Sequence, residues 1–145
     1  MCSVYRFAAP PDTTCNDGAP SAYTACVAQI RDRAILLRRT PYGESSLVAQ
    51  LLTERHGRVH VIAKGAYRPT SRFYCVLDLF DTLDVAWSHS PRRELQLLSQ
   101  GDIAVRRKSL RESIDRYRAA LGMVELCELA ARPGAPDTGL YKLLE

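Results

Sequence analysis

Between residues 24 and 105 the apolar residues come in short runs, and a turn signal cuts off every run. "ACVAQIRDRAILLRR" is rich in strand-forming residues and is stopped by "TPYGE". "SSLVAQLLT" follows, then the tight turn "ERHG". In "RVHVIAK" the alternation is clean: Val59, Val61 and Ala63 face one way, and Arg58, His60, Ile62 and Lys64 the other. "LDLFDTLDVAW" predicts a fourth strand with Leu79, Asp81, Leu83, Val85 and Trp87 on one face. "ELQLLSQGDIAV" predicts a fifth, bent or bulged at Gly101. Five strands over about 80 residues predict a small closed β-barrel, because closure removes the sticky edges of an open sheet. The oligonucleotide-binding (OB) barrel is the five-stranded form of that solution.

After the fifth run the period changes. Ser109 with Glu112 reads as a capping box. Leu110, Ile114, Tyr117, Leu121 and Val124 recur at steps of four and three, which predicts an amphipathic helix. "RPGAPD" ends it, and Asp137 is placed to cap a further short helix, "TGLYKLLE". The fold class is therefore mainly β with C-terminal α. A disordered tail is expected over 1–23, an OB-fold domain over 24–108, and the start of an incomplete helical domain over 109–145.

Composition bounds the function. Of the 145 residues 46% are hydrophobic and 25% charged, which suits a globular domain with a real core. No run is long and apolar enough to span a bilayer, and the N-terminus lacks a secretory pattern, so a cytoplasmic location is expected. The five cysteines form no C-x-x-C pair, and the three histidines have no metal-ligand spacing. Cys75 and Cys127 read as small apolar residues. The net charge of +4 is modest, but its distribution is uneven. Residues 31 to 72 carry nine Lys/Arg against three Asp/Glu, and residues 92 to 111 six against two. Two basic segments separated by an acidic strand are the footprint of a phosphate-backbone partner.

The densest positive cluster is "HVIAKGAYRPTSRF", where Lys64, Arg68 and Arg72 surround Tyr67, Phe73 and Tyr74. Gly65 permits a sharp turn and Pro69 stiffens the loop. Cationic groups attract phosphates and aromatic rings stack on unpaired bases. Against this stands a plainer reading: Phe73 and Tyr74 cap the core and the charges solubilise a loop. Arg38 and Arg39 point to opposite faces of a strand, so at most one joins a single surface. Arg58 lies on the face of Lys64. "SPRR", with Arg92 and Arg93, sits on a hairpin tip, and "VRRKSLR", with Arg106, Arg107, Lys108 and Arg111, at the barrel-to-helix junction. Cations at a helix start oppose its dipole, so that junction either holds an anion or is merely solvated.

No catalytic signature is present: no G-x-S-x-G elbow, no Walker A sequence and no G-x-G-x-x-G. On a strand only Asp78 and Asp84 share a face, about 20 Å apart, too far for one ion. No cofactor, metal or catalytic residue is expected.

"AILLRRTPYGESSLVAQLLTERHGRVHVIAKGAYRPTSRF" resembles the N-terminal barrel of the RecO family of bacterial DNA repair proteins. The resemblance rests on Pro41-Tyr42-Gly43-Glu44-Ser45, on Leu51-Leu52-Thr53 with Gly57, and on Ala63 to Phe73, in that order. It implies an OB fold without a catalytic centre that binds single- and double-stranded DNA. It further implies strand annealing and, with RecR, recombinase loading on DNA coated by single-strand-binding protein. By position Lys64, Arg68 and Arg72 would be phosphate contacts, supported by Arg38 or Arg39. Tyr67 and Thr70 stand where the family often carries further basic residues. The alternative is a protein-interaction barrel, an adaptor in a repair complex with incidental DNA affinity.

Overall fold

The computed structural model describes residues 28–145. The expected N-terminal tail lies outside the described residues. Five strands and three helices follow in order: β1 (Ala28–Tyr42), β2 (Ser46–Thr53), β3 (Gly57–Ala63), α1 (Phe73–Val76), β4 (Thr82–His89), β5 (Leu95–Val105), α2 (Ile114–Ala130) and α3 (Thr138–Leu144). A 3-10 turn, Lys108–Arg111, precedes α2. The strands close in the order β1-β2-β3-β5-β4, and β4 returns to β1. All pairs are antiparallel except β3 with β5, where His60, Val61 and Ile62 face Leu95, Gln96 and Leu97. Among the described residues no helix is long and apolar enough to cross a membrane.

Alternation sorts the apolar residues into two cores. Inside the barrel lie Ala34, Leu36, Ala49, Leu51, Val61, Ala63, Leu83, Val85 and Trp87. Ile35, Leu37 and Leu52 point outward and form a second core with Val124, Cys127 and Tyr141 from the helices. A fully buried Leu, Ile or Val contributes roughly 1.5–3 kcal/mol, so both layers matter. The ladder between β1 and β2 shifts register between Leu36 and Arg38. That bulge at Leu37 lets Leu37 and Arg38 both face outward and puts Arg39, opposite Ala49, on the inner face at the barrel mouth.

Three details differ from the sequence reading. The fourth strand begins at Thr82 rather than at residue 77, because Phe80 takes a left-handed φ of 73°. That conformation costs a bulky residue about 1–3 kcal/mol. It is held because Phe80 packs edge-on against Tyr117 at 5.2 Å in the helix-side core. In β5 the register shifts fall at Ser99 and Ala104, not at Gly101. Gly101 instead faces α1, where an added Cβ would make ordinary contact, 3.5 Å from Val76 and 3.6 Å from Phe73. Ser109 and Glu112 form no capping box, since they fall in and just after the 3-10 turn, and α2 starts at Ile114. Ile114 is 63% exposed, so the packed stripe of α2 is Tyr117, Leu121, Val124 and Cys127. Asp137 caps α3 as expected, accepting from the Gly139 and Leu140 amides at 2.9 and 3.0 Å. Cys127 is buried, whereas Cys75 is exposed on α1.

Candidate nucleic-acid interface

The loop after β3 carries most of the predicted site. Lys64 leaves the strand and Gly65 turns the chain with φ 68°. The Arg68 amide donates to the Gly65 carbonyl at 3.0 Å and the Ser71 amide to the Arg68 carbonyl at 2.9 Å. Ala66 drops into the barrel core. The Tyr67 amide donates to the Ser45 carbonyl at 3.0 Å, tying the loop to the β1–β2 turn. A loop pinned in this way loses little entropy when it binds. Lys64, Arg68 and Arg72 are exposed, and among the described residues none has a carboxylate within ion-pair reach.

Beside this loop lies a shallow cleft of about 470 Å³, lined among others by Arg39, Tyr67, Phe73, Tyr74 and Asp78. The Arg39 guanidinium donates to the Leu77 carbonyl at 3.2 Å, which holds it at the rim. Phe73 packs on the core, but Tyr74 is 65% exposed and Tyr67 42%. The plainer reading of the aromatics therefore holds for Phe73 alone. Tyr74, which the sequence offered both as a stacking ring and as a core cap, stays exposed beside Tyr67. The short helix α1 turns neighbouring rings to different sides, and four residues leave no periodic signal.

Arg38 and Arg58 lie elsewhere, on the outer barrel face beneath α2. Arg38 donates to the Glu128 carboxylate at 3.2 Å, and Arg58 to the Glu128 carbonyl at 2.9 Å. They share that face with a row running Arg38, Gln50, His60, Leu95 and a second running Thr40, Val48, Ile62, Leu97. Gln50, His60, Val48 and Ile62 are half-buried and belong to neither core. Burial and the nearby Arg58 charge lower the His60 pKa, against the pull of Glu94 and Glu128. This favours the neutral imidazole, whose buried Nε2 has no hydrogen-bond partner among the described residues.

The junction arginines resolve differently from either sequence alternative. Arg106 reaches the buried Asp81 carboxylate at 3.4 Å, and Arg111 reaches Asp78 at 3.0 Å and Asp81 at 3.6 Å. Arg107 donates to the Phe80 carbonyl at 2.7 Å and the Thr82 hydroxyl at 2.9 Å. Three cations thus tie the end of β5 to the turn before β4. Asp78 and Asp81 stand before the strand, so the strand-face argument that separated Asp78 from its neighbours does not apply. Among the described residues no three His, Cys, Asp or Glu side chains gather as a metal site.

A five-stranded barrel closed in this order, with a helix between its third and fourth strands, is an oligonucleotide-binding fold with a cationic loop beside its strand face. The family model described as "Recombination protein O N terminal" matches residues 27–106. The chain belongs to the RecO family. It is 33% identical over 115 residues to the DNA repair protein RecO of Salinibacter ruber, covering 79% of this chain and 44% of that one. It is 35% identical over 116 residues to that of Nocardioides sp., covering 79% and 47%. Over 73 residues it is 48% identical to that of Methylococcus capsulatus, covering 50% and 29%. The chain spans less than half the length of these relatives.

Proposed function

We propose that this chain is a non-catalytic DNA-binding module of recombinational repair, with Lys64, Arg68, Arg72 and Tyr67 as its contact loop and Arg39 in support. One observation carries the reading: three exposed cations, none neutralised by a carboxylate among the described residues, stand on a loop anchored to an OB barrel beside two exposed tyrosines. Phosphates fit the cations and unpaired bases fit the rings. Screening phosphate charge also lowers the repulsion between two strands, which fits annealing. The names of the relatives fit a role in repair. Recombinase loading with a RecR-type mediator on DNA coated by single-strand-binding protein belongs to this proposal. Arg38 and Arg58 do not, since α2 engages both.

The test is a salt series of fluorescence anisotropy on labelled oligothymidylate. Replacing Lys64, Arg68 and Arg72 together by alanine is expected to flatten the plot of log affinity against log salt by about 2, at roughly 0.7 per lost phosphate contact. An unchanged slope rejects the site.

The adaptor reading has its own observation. Leu126 is 66% exposed and Leu129 85%, both on α2 away from the barrel. A protein partner would bury them.

A further inference from the structure

We infer that the outer face of α2 is a self-association surface, on which a second copy of this chain docks antiparallel about a two-fold axis at Gly122. The inference stands apart from the DNA-binding reading, since no residue of the contact loop takes part.

α2 is apolar on two sides. One side packs in the helix-side core through Tyr117, Leu121, Val124 and Cys127. On the opposite side Ala119, Gly122, Leu126 and Leu129 recur at steps of three, four and three, and all of them are exposed. A surface helix ordinarily gives that side to charged and polar residues. Gly122 sharpens the point. It stands in mid-helix without a positive φ, and an added Cβ would meet nothing within 4 Å. Glycine weakens an exposed helix relative to alanine, and nothing among the described residues calls for it here. A bare Cα at the centre of an apolar stripe does let a second backbone come close.

Charge identifies the occupant. Arg118 and Glu125 flank the stripe on one side, both exposed, and among the described residues neither has an ion-pair partner. They stand about 10 Å apart along the helix, too far to pair with each other. A two-fold axis at Gly122 reverses the second helix and keeps each flank on its own side. Arg118 then comes level with the partner's Leu126, one residue from the partner's Glu125 on the same flank. Two such ion pairs form, one at each end of the contact. The same operation sets Leu126 against the partner's Ala119, large against small, and Leu129 beside the partner's Ile114, itself an exposed residue. A parallel pair would instead bring like charges level with each other. A face that complements itself under a two-fold is what an isologous dimer requires, and such a contact closes at two copies. One helix pair is a small interface, so the dimer is expected to be weak, forming at micromolar concentration.

Sedimentation velocity of the full 145-residue chain over a concentration series, without nucleic acid, tests this. Wild type is expected to pass from monomer to dimer mass and to stop there. Gly122→Leu fills the open space, favours the helix and should leave the chain monomeric where wild type is dimeric. Arg118→Glu alone and Glu125→Arg alone should each weaken dimerisation roughly tenfold, because like charges then meet. An equimolar mixture of those two variants should dimerise like wild type, since every facing pair is again opposite in sign. These substitutions fall on exposed positions, and a thermal melt of each variant checks that its fold is kept. Wild type that stays monomeric throughout overturns the inference, as does a dimer indifferent to Gly122→Leu and to both charge reversals. Mass that keeps growing past the dimer rejects the two-fold. If wild type is monomeric and Leu126→Asp with Leu129→Asp loses capture by a purified RecR-type mediator, the face belongs to another protein and self-association is wrong.

Discussion

Asp32 shows how much a single buried side chain does in this barrel. Its carboxylate accepts from the Arg55 guanidinium at 3.1 Å, the Arg55 amide at 2.9 Å and the Arg33 amide at 2.9 Å, and meets His56 Nδ1 at 2.7 Å. The β2–β3 turn is thereby clasped to β1, with the His56 ring edge-on to the buried Trp87 at 5.5 Å. Burial pushes the carboxyl up, yet the hydrogen bonds from His56, Arg55 and Arg33 hold it below its ordinary value. A carboxylate lowered in the folded state adds stability above its unfolded pKa, near about 3.9, and that stability is lost as pH falls through the folded value. Thermal melts across pH should therefore show Asp32→Asn about 2–3 kcal/mol less stable than wild type at neutral pH. The gap should narrow as the pH drops below about 4. A gap independent of pH would mean that the clasp acts by shape alone. Gly57 shows the same economy, because at φ 67° an added Cβ would meet the Ala135 carbonyl oxygen at 2.3 Å.

At the scale of elements, α2 takes its C-terminal cap from the barrel. The last four carbonyls of a helix lack partners within it, and a cation there is favoured by the helix dipole. Arg58 supplies both through its bond to the Glu128 carbonyl, and Arg38 holds the Glu128 side chain. Arg58→Ala should cost about 1–2 kcal/mol. Hydrogen exchange of the amides in the last turn of α2 should quicken, with barrel amides inside β1 and β2 unchanged. Equal loss of protection in the barrel would show that Arg58 supports the sheet instead. Strand alternation placed Arg58 on the outer face, as found. It could not show that a helix some 70 residues later would lie there. The bulge at Leu37 was equally hidden, since alternation through "AILLRR" looks unbroken until the partner strand fixes the register.

Across the whole molecule some cations are matched to carboxylates, while others, Arg116, Arg118 and Lys142 on the helices included, have no such match among the described residues. Arg33, Arg38, Arg55, Arg106 and Arg111 are matched to carboxylates. Lys64, Arg68, Arg72, Arg92 and Arg93 stand without such partners among the described residues, on the loops that flank the strand face. The helices pack on Ile35, Leu37 and Leu52 of β1 and β2 and leave Leu126 and Leu129 exposed. Leu126→Asp with Leu129→Asp should leave DNA affinity and its salt slope as in wild type, since these side chains pack in neither core. In a nucleic-acid-free pull-down with a purified RecR-type mediator the same variant should lose capture if the adaptor reading holds. Loss of DNA affinity would instead move the DNA site onto α2. Leu121 and Val124, from the apolar stripe that periodicity predicts, pack in the helix-side core, so changing them would report on folding.

The order of short runs and turns by itself determined five strands, their closure and the helices after them, because alternation and turn chemistry act over a few neighbouring residues. The loop from Lys64 to Arg72 was legible for the same reason: charge, glycine and proline lie together in sequence. Which cations stay unpaired was decided only by the fold. Ion pairing depends on carboxylates brought within about 4 Å from distant segments. Asp78 and Asp81 claim the junction arginines, and Glu128 claims Arg38, across separations that no local pattern encodes.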